Sequence, residues 1–147
     1  MPQAPSPKPQ RKNTMVKQSL WAVLAVFVAW SVLDLLLHGV ILRNTYVATA
    51  NLWRLPEEMK RATMAFVTLL HAVFFVAMYA ALVDRKSLRR GLLYGLLFGA
   101  TIGLGMGFGT WCVMPIPASL AWTWFLGTTV EAAVAGGLVG LLVKPKA

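Results

Sequence analysis

The chain has 147 residues, of which 58% are apolar and 13% charged, about half the charged share usual for soluble domains. A water-soluble domain of this size needs more polar surface, so lipid is the expected solvent for most of the chain. The formal charge of +9, from 14 Lys and Arg against 5 Asp and Glu, sits in short clusters between apolar runs. Those clusters read as topology signals and contacts for anionic lipid headgroups, not as a nucleic-acid footprint.

Residues 1–18 carry Pro2, Pro5, Pro7 and Pro9 among Gln, Ser and Lys, and this polar, proline-rich composition predicts a disordered basic tail. A first apolar run spans about 20–42. Its apolar stretch is roughly twice a signal-peptide core of about 7–15 residues, so it reads as a retained helix although Arg11, Lys12 and Lys17 precede it. The connection 43–60 is the longest. Pro56-Glu57-Glu58 reads as a helix start above the membrane, with proline in the first turn and acids at the positive end of the dipole. Tyr46, Leu52 and Trp53 suggest a loop lying on headgroups.

The second, third and fourth runs span about 62–83, 88–108 and 118–143, and each is long enough for the roughly 20 residues a bilayer crossing needs. None shows the polar face of a soluble helix, and none alternates like a barrel strand. Pro115 and Pro117 make the uncharged connection 109–117 a sharp turn. Residues 144–147 form a basic tail. The predicted fold is thus all-α, an integral membrane four-helix bundle over residues 19–143.

Ten of the fourteen basic residues fall on one side: Lys8, Arg11, Lys12 and Lys17, then Arg85, Lys86, Arg89 and Arg90, then Lys144 and Lys146. The positive-inside rule places both termini in the cytoplasm, with the expected location a bacterial cytoplasmic (inner) membrane. Tyr46, Trp53, Trp111, Trp122 and Trp124 are expected in an outer aromatic belt, and Trp21, Tyr79 and Tyr94 in an inner one.

Gly91, Gly95, Gly99, Gly103 and Gly107 recur at every fourth position of the third run, with Gly105 and Gly109 beside them. Such a stripe lets two backbones approach closely. Gly136 and Gly140, with Ala132, offer a matching surface on the fourth run. Packing of these two helices within one chain is the preferred reading; a homodimer seam is the other.

Four ionisable residues interrupt the runs: Asp34, His38, His71 and Glu131. Charged groups in hydrocarbon are costly, so each is expected to face the bundle interior or a wet cavity. At about 1.5 Å rise per residue, Asp34, His71 and Glu131 lie roughly 12, 15 and 20 Å below the outer ends of their helices, so they are predicted to converge. Three readings compete. Asp34–His38 and His71–Glu131 are hydrogen-bonded pairs fixing helix register; the set is a proton or ion path; or two imidazoles with carboxylates hold a divalent metal such as zinc, iron or manganese. No nucleophile elbow, Walker motif, HExxH or dinucleotide fingerprint is present. Cys112 stands alone, so no intrachain disulfide and no cysteine-based metal motif forms.

The segment Leu33-Asp34-Leu35-Leu36-Leu37-His38-Gly39, the loop around Asn51-Leu52-Trp53-Arg54, the glycine-rich third helix and Glu131-Ala132-Ala133 together resemble the small four-span inner-membrane proteins of bacteria that are grouped as domains of unknown function. The resemblance covers residues 20–143 as architecture and implies no activity. The functional expectation is a non-catalytic accessory or scaffold component. The alternatives are a small transporter or channel subunit handling protons or cations, and a metal-dependent membrane enzyme. No cofactor is predicted beyond that candidate divalent metal. The expected partners are a bilayer with anionic headgroups and either a second copy of the chain or another membrane protein.

Overall fold

The computed structural model describes residues 9–144 of the chain. Helix α1 runs Pro9–Leu36 and continues as a π-helical segment, Leu37–Ile41. A short α2, Arg43–Ala48, and a 3-10 turn, Ala50–Leu52, fill the long connection. Helix α3 is Arg61–Leu82 and α4 is Leu88–Gly103. A second π-helical segment, Leu104–Gly109, joins α4 to α5, Thr110–Val113, without a break, and α6 is Ala118–Leu142. The described residues form an all-α bundle in which four helices are long and apolar enough to cross a membrane. The chain is therefore a multi-pass membrane protein by helix length and composition. Connections 43–60 and 114–117 lie at one end, called the loop end below. Residue 9, connection 83–87 and residue 144 lie at the other, the terminal end.

Several boundaries differ from those expected. The helix begins at Pro9, inside the stretch read as a disordered tail; residues 1–8 and 145–147 lie outside the described residues. Past Pro9 the tail holds no Gly or Pro. Proline is well placed in a first helical turn, and the following Gln, Arg and Lys extend a helix already nucleated by the apolar run. Pro56-Glu57-Glu58 forms a turn instead of a helix start: the Glu58 N–H donates to the Leu55 carbonyl at 2.9 Å, which puts Pro56 second in a β-turn, the position its fixed φ favours. The third crossing reaches Val113, beyond the expected 108, because nothing stops a helix until Pro115. Met114, before that proline, is extended at φ −124°, ψ 143°, as the clash with a following proline ring requires.

The core divides into two clusters. Near the terminal end, Ala22, Val26 and Trp30 of α1 pack with Ala72, Phe75, Val76 and Tyr79 of α3 and Ala135 and Val139 of α6. At the loop end, Leu37 and Leu42 pack with Ile116, Leu120, Ala121 and Trp124. Helix α3 contributes to the first cluster and not to the second: from Arg61 to Leu70 every residue but Thr68 is exposed. Lys86 explains how α3 stops. Its ammonium donates to the Val83 and Ala80 carbonyls at 2.8 and 3.0 Å, neutralising the carbonyls that a helix end leaves unpaired.

The α4–α6 seam is the tightest contact in the bundle. Gly91, Gly95, Gly99, Gly103 and Gly107 are all buried. A methyl placed on Gly91 would collide with the Gly136 carbonyl, one on Gly95 with the Ala132 carbonyl, and one on Gly107 with the Ala121 carbonyl. The glycine hydrogens therefore point at carbonyl oxygens across the seam, a Cα–H···O geometry worth about 0.5–1 kcal/mol per contact. Gly136 returns the contact to the Gly91 carbonyl, and a methyl on Gly140 would lie 2.8 Å from the Ser87 carbonyl. No glycine among the described residues has positive φ, so the missing Cβ, not backbone freedom, is what the seam uses. A four-residue repeat drifts about 40° per step against a 3.6-residue turn. The π segment after Gly103 absorbs part of that drift, since its turns hold more residues than α turns, and Gly107 stays on the seam. Gly105, by contrast, meets nothing within 4 Å and faces outward.

Candidate functional site

The ionisable residues do not gather as the sequence suggests. His71 is exposed on α3, so it neither pairs with Glu131 nor joins Asp34. Its helix carries no polar face to orient it, and the burial of Phe75, Val76 and Tyr79 turns His71 outward. Among the described residues no group of three His, Cys, Asp or Glu is placed to hold a metal ion, so the arrangement lends the metal reading no support.

The remaining groups build a different site at the loop end. Asp34 and His38, four residues apart, share a face of the first crossing. His38 Nε2 lies 3.8 Å from Asp34 Oδ1, an ion-pair distance beyond hydrogen-bond range. On its other side His38 Nδ1 meets the Tyr46 hydroxyl at 2.6 Å. Trp124 of α6 donates its indole N–H to the same hydroxyl at 2.9 Å. An indole nitrogen only donates, so the Tyr46 oxygen accepts from Trp124, and the direction of its bond with His38 Nδ1 follows the imidazole tautomer.

The local fold makes this reach feasible. The π segment Leu37–Ile41 closes with a bond from the Leu42 N–H to the Leu37 carbonyl at 2.9 Å, and it turns the chain into α2 so that Tyr46 folds back over His38. The two rings stack with centroids 5.8 Å apart and planes 15° apart. Trp53 packs edge-on against Tyr46 at 5.5 Å and against Trp124 at 6.0 Å, and its N–H donates to Thr49 Oγ1 at 2.9 Å. The connection 43–60 thus packs Tyr46, Leu52 and Trp53 onto the loop-end core instead of laying them on headgroups. The aromatic belts are correspondingly thinner than expected. Trp21, Trp111 and Trp122 are exposed, whereas Trp124 and Tyr79 are buried. Tyr94 is half-buried and donates to the Phe75 carbonyl at 2.8 Å.

Glu131 stands deeper. Trp30 donates its indole N–H to the Glu131 backbone carbonyl at 3.0 Å, which locks α1 to α6 at that level. The Glu131 carboxyl oxygen Oε1 is buried and has no hydrogen-bond partner, and Asp34 lies within electrostatic range of the same carboxyl. Outside the spans, burial pushes the Tyr46 phenol above its ordinary value of 10.0; the Trp124 hydrogen bond offsets part of that rise and the Asp34 charge adds to it.

Tyr46, Trp124 and Trp30 were not legible as site residues. One signal pointed to Tyr46: Asp34, His38, Leu42 and Tyr46 continue a four-residue spacing past the end of the apolar run. Compared with known proteins, the chain matches no family model, no curated protein and no solved structure.

Proposed function

We propose that the chain is a non-catalytic accessory or scaffold component of a bacterial cytoplasmic membrane, with both termini in the cytoplasm and the loop end outside. The observation that carries this reading is the use of the polar groups. His38 Nδ1 and the Trp124 indole both meet the Tyr46 hydroxyl, tying the first crossing, α2 and α6 together. These contacts join elements of the fold to one another, the use a scaffold makes of its polar groups. The orientation rests on the basic residues at the terminal end, among them Arg85 in the short connection and Arg89 and Arg90 in the first turn of α4, which are exposed and suit anionic headgroups of the inner leaflet.

A second reading, proton or cation handling, is favoured by one feature: the unpartnered Glu131 oxygen near Asp34, from which the His38–Tyr46 contact leads toward the loop end. Carboxyl and imidazole groups in series can relay protons. Reconstitution into vesicles holding a pH-sensitive dye separates the two. The scaffold reading expects proton entry under an imposed potential to equal that of protein-free vesicles. Entry above that background, abolished in Glu131→Gln, would replace it with the relay.

A further inference from the structure

We infer that two copies of this chain pair within the membrane, each giving its His71 to the partner's Asp34. Two unexplained exposures meet here. Asp34 and His38 keep side chains 45% and 34% exposed, although they sit within a crossing where polar groups normally find protein partners. His71 is exposed on α3 and joins no ion pair among the described residues. By helix rise the two groups lie at about the same depth, roughly 12 and 15 Å from the loop end. Their chemistry is complementary, a carboxylate against an imidazole that can donate to it.

The loop-end half of α3 has the space for such a neighbour. Between Arg61 and Leu70 it packs on little of its own chain, and Met64 and Phe66 are 64% and 58% exposed. Apolar exposure alone drives little association in lipid, where the tails are as apolar as the side chains; polar pairs supply the specificity. A two-fold arrangement makes each contact twice, because residue i of one copy meets residue j of the other in both directions. The contact lies outside the glycine seam, which is filled by α4 and α6 of the same chain, so it is not the homodimer seam that the stripe alone suggests. The inference holds whether or not the chain conducts protons, and flux measurements leave it untouched.

Cys112 is the lone cysteine of the chain and is exposed, so the full-length protein can be labelled there with donor or acceptor dye and mixed in phosphatidylcholine–phosphatidylglycerol vesicles. The parent should show energy transfer that saturates with protein-to-lipid ratio. His71→Leu and Asp34→Ala, each alone, should weaken association at least tenfold. A mixture of donor-labelled Asp34→Ala with acceptor-labelled His71→Leu should recover transfer, since one cross-pair, His71 with Asp34, survives in the mixed dimer. His71 is exposed in its own chain, so His71→Leu leaves the fold intact and its result stands by itself. Transfer in His71→Leu equal to the parent, a parent that stays monomeric (its exposed groups then being covered by lipid or by another protein), or a mixture no better than either variant would each overturn the pairing.

Discussion

Replacing Gly99 with alanine tests the seam that holds α4 to α6. A methyl at that position would lie 2.7 Å from the Ala132 Cβ and 2.8 Å from both the Thr128 carbonyl and the Thr129 Cα. Two of those three atoms are backbone or carbonyl, so no side-chain rotation relieves the overlap. Restoring 3.4 Å, the near edge of ordinary contact, requires the helices to separate locally by about 0.7 Å. Overpacking of this kind costs about 1–3 kcal/mol. The Cα–H···O contacts at Gly95 and Gly103, one turn away on either side, weaken with it at about 0.5–1 kcal/mol each. The expected loss is therefore about 2–5 kcal/mol. Gly105→Ala is the matched control: the same change on the same helix, with nothing within 4 Å of the new methyl, is expected to be neutral or to stabilise by up to about 1 kcal/mol through helix propensity. Unfolding titrations in mixed micelles, followed by tryptophan fluorescence, measure both. Equal stability of Gly99→Ala and Gly105→Ala would refute the close seam.

Other consequences follow from the loop-end site and the terminal-end cap. Tyr46→Phe removes one oxygen that serves both Trp124 and His38, leaving two partly buried groups unpaired at about 1–3 kcal/mol each; limited proteolysis of connection 43–60 should accelerate, and an unchanged cleavage rate would argue against the contact. The Tyr46 phenolate should form only above pH 10, seen as the ultraviolet difference between the parent and Tyr46→Phe. With the folded pKa raised, the hydroxyl's contribution is fully present below the unfolded value near 10 and is lost as pH climbs through the higher folded one; titration at or below 10 would contradict its burial. Lys86→Met removes the donor to the Ala80 and Val83 carbonyls and should destabilise the bundle by about 1–3 kcal/mol, with thermal unfolding in detergent as the readout and an unchanged midpoint as the contrary result.

The bundle was legible because an uninterrupted apolar run needs no tertiary information to be recognised. The glycine stripe was legible for a related reason: five glycines at one spacing mark one helix face whatever the helix touches. Orientation of the polar residues was not. A helix surrounded by lipid is apolar on all sides, so α3 offers no amphipathic contrast to say which face meets protein, and His71 was placed inward when it points out. The π segments also leave no compositional trace, since Leu37–Ile41 and Leu104–Gly109 differ from α-helix in hydrogen-bond register alone. Asp34–His38 was anticipated from its spacing, whereas the Tyr46–Trp124 half of the site depends on a loop folding back over 78 residues of sequence separation.

Cysteine accessibility across the bilayer tests the four-crossing account most directly. A membrane-impermeant thiol reagent applied to intact cells should label Cys112 at the loop end, and in a Cys112→Ser background it should reach Ser87→Cys at the terminal end only after the membrane is opened. Labelling of both positions from the same side, or of neither before permeabilisation, would contradict it.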